Sequence, residues 1–206
     1  MSKNILWLPS WYPDKIKPYN GDFIQRHARA VGMHQPIQVI YIVRDEAGVI
    51  THDRRVEDSV FENVNEKIVY YYSPHFLIAF VDSFFSGLKY RRLYRKIISD
   101  YIEQIGKPEL VHVHIVLKAG LIAKWIKKKY HIPFIISEHW TGYLPDAKEK
   151  FLQLPSYLKI SWRRIMEKAS AVSVVSDYLG SCIKKNYSSL EYKVIPNVVD
   201  TKIFKP

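Results

Sequence analysis

Seven short apolar runs, rich in β-branched and aromatic residues, recur along the chain: NILWL (4–8), PIQVIYIVR (36–44), KIVYYYS (67–73), LVHVHI (110–115), PFIIS (133–137), AVSVV (171–175) and KVI (193–195). They are nearly continuous rather than alternating, as strands are when a parallel sheet is covered on both faces. Helical spacing fills the intervals. Ile24, Ala28 and Val31 stand at i, i+4 and i+7. A long segment from Phe84 to Ile105 carries Leu88, Leu93, Ile97, Ile98, Tyr101 and Ile102 and is closed by Gly106-Lys107-Pro108. Ala119, Ile122, Trp125 and Ile126 make another helix, and two more are expected over 157–168 and 178–187. Such alternation specifies an α/β, doubly wound, mostly parallel Rossmann-like sheet of about seven strands. The polar segment between 45 and 66 offers at most a small hairpin.

In that architecture ligands sit beyond the carboxyl ends of the strands. Asn20-Gly21 follows the first strand, His112 and His114 end the fourth, and Ser137-Glu138-His139 ends the fifth. Ser176-Asp177 ends the sixth and Pro196-Asn197 follows the seventh. Gly21 precedes a helix whose amide N–H groups and positive dipole end suit a phosphate. On residue type alone it is more simply read as a helix-start glycine with Asp22 as an N-terminal acid. His112 and His114 share a face because side chains alternate along a strand. With Glu138 and His139 they raise the question of a metal site, but a strand buried on both faces with no third ligand at local spacing argues for none. His139 emerges at a strand end, where an imidazole can orient a hydroxyl or stabilise developing charge; a structural histidine capping the next segment is the plainer reading.

The connection from the first strand to the first helix, PSWYPDKIKPYNG, is far longer than such loops usually are. Trp11, Tyr12 and Tyr19 offer ring faces on which a sugar can stack, and the prolines limit the entropy lost on binding. The competing reading is a surface loop held down by its own aromatics.

Composition narrows the classes. One cysteine among 206 residues excludes an internal disulfide, and Met1-Ser2-Lys3-Asn4 does not open a charged-then-apolar leader, so a reducing cytoplasm is the expected location. FLIAFVDSFFSGL (76–88) is interrupted by Asp82 and falls short of the roughly 20 residues a bilayer span needs. A formal net charge of +11 calls for an anionic partner. KYRRLYRK (89–96), KKKYH (127–131) and SWRRIMEK (161–168) interleave cations with aromatics, yet they lie on helices, where charge runs are usually a solvated face, and no nucleic acid is expected. Phe76 to Phe80 beside KYRRLYRK has the makeup of a segment that docks on an anionic membrane. No GxSxG, Walker lysine or CxxC motif is present, so serine hydrolase, P-loop and thiol redox chemistry lack their parts.

WLPSWYP followed by GDFIQRHARA, then PELVHVHIVLKAG, IPFIISEHWTG, AVSVVSDYL and VIPNVVDTKIFKP, in that order and spacing, closely resembles the N-terminal half of glycosyltransferase family 4, the retaining group 1 enzymes of the GT-B fold. The resemblance covers nearly the whole chain. It implies that residues 1–206 form an N-terminal acceptor-binding domain, with the C-terminal nucleotide-sugar domain absent from the chain. By match of motif, it places Gly21 near the donor diphosphate and His139 near the transferred sugar and acceptor hydroxyl as the catalytic candidate. His114, Ser176 and Asn197 would face the cleft, with Glu138, Trp11, Tyr12 and Tyr19 contributing to its wall. Implied partners are a nucleotide-sugar donor and a glycan or lipid-linked acceptor, with no cofactor and no metal, in cell-surface polysaccharide synthesis on the inner face of the membrane. The isolated domain is then expected to be inactive. Two alternatives stay open: a non-catalytic subunit that pairs with a separate donor domain, and a metal-dependent hydrolase built on His112, His114 and His139.

Overall fold

The computed structural model describes residues 4–46, 48, 54–72 and 79–199. Along them run β1 (Ile5–Pro9), α1 (Asp22–Gly32), β2 (Ile37–Arg44), β3 (Arg54–Phe61), β4 (Val64–Tyr71), α2 (Ala79–Ile105), β5 (Leu110–His114), α3 (Leu117–Tyr130), β6 (Phe134–Glu138), α4 (Ser156–Met166), β7 (Ala171–Val174), α5 (Asp177–Lys184) and β8 (Lys193–Val194). Single 3-10 turns at Thr141–Tyr143 and Phe151–Gln153 lie between β6 and α4. The sheet order is β3-β4-β2-β1-β5-β6-β7-β8. β2 and β4 pair in parallel, as do β5 with β6, β6 with β7 and β7 with β8, whereas β3 is antiparallel to β4. The α/β fold with a mostly parallel sheet is the one the strand pattern specifies, but with eight strands rather than about seven. The added strand is β3, RRVEDSVF, exposed at every position except half-buried Glu57. A strand with both faces wet carries no apolar pattern to reveal it.

Two compact units make up the chain: Met1–Leu6 with Trp11–Glu109, and Trp7–Ser10 with Leu110–Pro206. In the first, Ile37 pairs with Val64 and Arg44 with Tyr71, so the buried row Ile37, Val39, Ile40, Tyr41 and Ile42 is locked in register to β4. α1 turns Ile24, Ala28 and Gly32 inward at four-residue spacing while Arg26 pairs with Asp22 on the outside at 2.9 Å. α2 buries Tyr90, Tyr94, Ile98 and Tyr101 along one stripe. The Tyr94 hydroxyl accepts from the Ile42 amide and donates to the Ile40 carbonyl, both at 3.2 Å. Asp82, the residue that interrupts the apolar run of the sequence, has a partner there: Arg44 at the end of β2 grips it through two bonds of 2.7 and 2.8 Å.

In the second unit β5, β6 and β7 lie in register His114–Ser137–Ser173. α3 buries Ala119, Ile122, Ala123 and Ile126, α4 buries Trp162, Ile165 and Met166, and α5 buries Leu179, Cys182 and Ile183. Each set repeats at three or four residues, the spacing that keeps side chains on one helix face. β8, at the sheet's other edge, is only two residues long.

The Arg44–Asp82 pair leaves side-chain exposures of only 11% and 18%. Breaking a fully enclosed pair costs roughly 3–5 kcal/mol, and the residual solvent access lowers that figure. Asp82→Ala is therefore expected to reduce the unfolding free energy by about 2–3 kcal/mol, read as a lowered urea midpoint with an unchanged slope.

Candidate functional site

The carboxyl ends of β5 and β6 gather most of the chemistry of the second unit. Alternation along LVHVH places His112 and His114 on one side of the strand, and their rings lie 4.1 Å apart. His114 also meets the ring of Trp7, from β1, at 4.1 Å and that of His139 at 5.8 Å with an interplanar angle of 21°. Trp7, His112, His114 and His139 thus form a ring stack, with Trp7 and His114 buried and His139 half-buried at its end, both of its ring nitrogens enclosed. A polar line crosses the strands beside it: His112 Nε2 is 2.8 Å from Ser137 Oγ, which is 2.7 Å from Ser173 Oγ.

Glu138, between Ser137 and His139, is fully buried. Its carboxylate accepts the amides of His139 and Trp140 on Oε1, both at 3.0 Å. On Oε2 it accepts the Val116 amide at 3.1 Å and the Tyr143 hydroxyl at 3.3 Å. Trp162 Nε1 donates in turn to the Tyr143 oxygen at 2.7 Å. Burial pushes the Glu138 carboxyl above its ordinary range, and the four donors oppose that push. Tyr143 is held well above the usual phenol range by burial and then by the Glu138 charge.

Two sequence expectations need correcting, and the other residues are placed as follows. His114 and Glu138 are enclosed, so neither presents a side chain to solvent as a wall residue would. Ser176 is the N-cap of α5, its Oγ accepting from the Leu179 amide at 3.2 Å. Asn197 is exposed beyond β8. Among the described residues no group of three His, Cys, Asp or Glu is placed to hold a metal ion; of the imidazoles of the hydrolase alternative, His112 and His114 meet at a tilt of 36° and His114 and His139 are stacked.

The first unit holds the long loop. Tyr12 is buried, contrary to the expectation of a stacking face, and its hydroxyl donates to Glu66 Oε1 of β4 at 2.6 Å. Gln25 and Ser59 donate to the same carboxylate. Desolvation, reinforced by the Glu66 charge, keeps the Tyr12 phenol far above its ordinary range. Asp14 closes a turn by accepting the amides of Ile16 and Lys17 on Oδ1, and the Lys15 amide donates to the Tyr70 hydroxyl at 3.0 Å. The reading in which the loop is held down by its own aromatics therefore accounts for Tyr12. Tyr19 remains 88% exposed and Trp11 half-buried, so rings are still on offer. Gly21 ends the loop at φ 69°, and a Cβ there would stand 2.7 Å from the carbonyl carbon and oxygen of Trp11.

Glu66, Ser173 and the Tyr143–Trp162 pair escaped the sequence reading, as did the bonds that Ser137 makes to His112 and Ser173. For Ser173 the available signal was a single polar residue in the middle of the apolar run AVSVV, since a buried hydroxyl must find a partner.

A family model described as Glycosyltransferase Family 4 matches residues 37–203. The chain belongs to that family. Among solved structures, this family 4 chain is similar to a sucrose-phosphate synthase from Thermosynechococcus elongatus, with TM-score 0.65 and 15% identity over 99% of this chain and 50% of that one. An α,α-trehalose-phosphate synthase (UDP-forming) from Burkholderia xenovorans aligns with TM-score 0.46 and 8% identity over 91% of this chain and 44% of that one. The family 4 chain thus spans about half the length of these structures. The first likeness agrees with a Rossmann-like half of a GT-B fold. No curated protein matches the chain.

Gly21 is the loop position where glycine is required by both backbone and space. Gly21→Ala is expected to destabilise the family 4 chain by about 1–3 kcal/mol, because the strained φ and the approach to the Trp11 backbone act together. Thermal unfolding by circular dichroism measures it.

Proposed function

We propose that the chain is the acceptor-binding half of a retaining glycosyltransferase that moves a sugar from a nucleotide-sugar donor onto a glycan or lipid-linked acceptor, in cell-surface polysaccharide synthesis. Membership of family 4 supports the reaction class. The observation that carries the site is the stack that ends in half-buried His139 at the carboxyl end of β6, where an α/β sheet presents its chemistry. In this reading His139 orients the acceptor hydroxyl and stabilises charge on the transferred sugar, with buried His114 behind it. Ser176 and Asn197, in the same unit as His139, line the acceptor's path; within the first unit, taken by itself, Trp11 and Tyr19 offer ring faces to a sugar and the α1 amides after Gly21 suit a diphosphate. A second domain, outside residues 1–206, holds most of the nucleotide-sugar. Rate enhancement then comes from positioning and preorganised charge rather than from a protein nucleophile.

The test is ligand binding and turnover on the same chain. Saturation-transfer NMR against oligosaccharides and soluble sugar-phosphate-lipid analogues is expected to find an acceptor class whose signal falls at least tenfold in His139→Ala, with circular dichroism unchanged. No nucleotide-sugar is turned over by residues 1–206 alone. Turnover by this chain alone would overturn the half-enzyme reading, and acceptor binding indifferent to His139 would overturn its role.

The same reading places the enzyme peripherally at the cytoplasmic face of an anionic membrane. Residues 76–78 of the segment suggested for docking lie outside the described residues. Support comes from the Phe151–Gln153 turn and α4, where Leu152, Tyr157 and Ile160 are 68%, 63% and 52% exposed next to the exposed cations Arg163 and Arg164. No helix among the described residues is long and apolar enough to cross a membrane. Sedimentation with phosphatidylglycerol vesicles is expected to retain the chain, and phosphatidylcholine vesicles are not. Tyr157→Ser with Ile160→Ser should abolish retention; equal sedimentation of this variant would overturn the assignment of that face.

A further inference from the structure

Glu138 is an expensive way to build a loop. A carboxylate with no solvent exposure pays heavily for lost hydration, and the start of α3 could be capped by a serine at far lower cost. What only a carboxylate of this length provides is acceptance of four donors on two oxygens. Those four come from two separate places in the chain: Val116, at the turn after β5, and His139, Trp140 and Tyr143, in the segment after β6.

The turn after β5 is itself strained. Ile115 has φ 64°, a left-handed conformation that a β-branched residue rarely adopts, and it is fully buried. Its amide donates to the Ser137 carbonyl at 2.9 Å, and its own carbonyl accepts Ser10 Oγ at 2.7 Å. Ser10 Oγ also accepts the Ala119 amide at 3.3 Å, and the Ser10 amide donates to the His114 carbonyl at 2.9 Å. Strain of this kind persists only where neighbours over-determine the backbone. Ser10 does so on one side of Ile115, and Glu138 takes the next amide on the other.

The two residues that flank these anchors are His114, directly before Ile115, and His139, directly after Glu138. We propose that Glu138 is a positioning residue: by tying the turns after β5 and β6 to one buried carboxylate it sets the His114–His139 ring stack, and so the orientation in which His139 meets its substrate. The inference deepens the sugar-transfer reading and rests on it for the role of His139, while the stack itself is testable without a ligand.

The experiment uses the 206-residue chain labelled with 13C and 15N. Ring resonances of the histidines and nuclear Overhauser contacts between the His114 and His139 rings are recorded for wild type, Glu138→Gln, Glu138→Asp and Tyr143→Phe. Gln keeps the shape but turns one acceptor into a donor that faces the Val116 amide or the 139–140 amides. Glu138→Gln is expected to remain folded by circular dichroism, lose the contacts between the two rings, and move the His139 ring signals toward those of exposed His34. Glu138→Asp, a methylene short, is expected to restore the contacts in part. Retention of wild-type ring contacts and shifts in Glu138→Gln, with only a lower unfolding midpoint, would show that Glu138 is structural alone and overturn the proposal. If Glu138→Gln does not fold, Tyr143→Phe decides. It removes one donor and leaves the carboxylate, and it is expected to shift the His139 ring signals; their constancy overturns the proposal. A stack that depends on Glu138 in a chain that binds no acceptor would leave the positioning claim standing and count against sugar transfer.

Discussion

A parallel strand covered on both faces has no solvent beside it, so any polar side chain it carries must be satisfied along the sheet or past its end. The second unit uses both solutions. His112, Ser137 and Ser173, each in the middle or near the end of an apolar run, bond to one another across three neighbouring strands. Glu138 sits where β6 runs out and takes backbone amides that would otherwise lack acceptors. The ring stack of Trp7, His112, His114 and His139 lies beside this polar framework, and His112 belongs to both.

Much of this was legible from spacing alone. Continuous apolar strands, amphipathic helices and the concentration of His, Ser, Glu and Asn after strand ends follow from periods of two and 3.6 and from the geometry of α/β sheets. β3 was hidden because both of its faces are wet, so RRVEDSVF carries charge where a buried strand would carry valine and isoleucine. Burial of individual aromatics was equally hidden. Tyr12 and Tyr19 are seven positions apart in one loop and look alike as sequence, yet one is enclosed and bonded to Glu66 while the other is almost fully exposed. What separates them is a carboxylate on β4, more than fifty residues away, and no local pattern encodes it. The left-handed Ile115 is a similar case, because a glycine would announce such a backbone and isoleucine does not.

The long first loop is explained by its tethers. Tyr12 reaches Glu66, the Lys15 amide reaches Tyr70, and Asp14 folds the chain back on itself before Gly21 turns it into α1. A dozen residues are needed because the loop visits β4 before it returns to the helix. Order imposed this way lets a connection hold exposed rings such as Tyr19 on a fixed base, the usual arrangement of recognition loops on rigid scaffolds.

The two edges of the sheet are unlike each other but share an outcome. β3 lines one edge with exposed Arg54, Arg55 and Asp58 and half-buried Glu57, and β8 closes the other with a strand of two residues. Charge on one border and brevity on the other deny a foreign strand the long neutral ribbon it needs for main-chain pairing. A sheet of eight strands is thereby protected from growing into a fibril through its own hydrogen-bonding pattern.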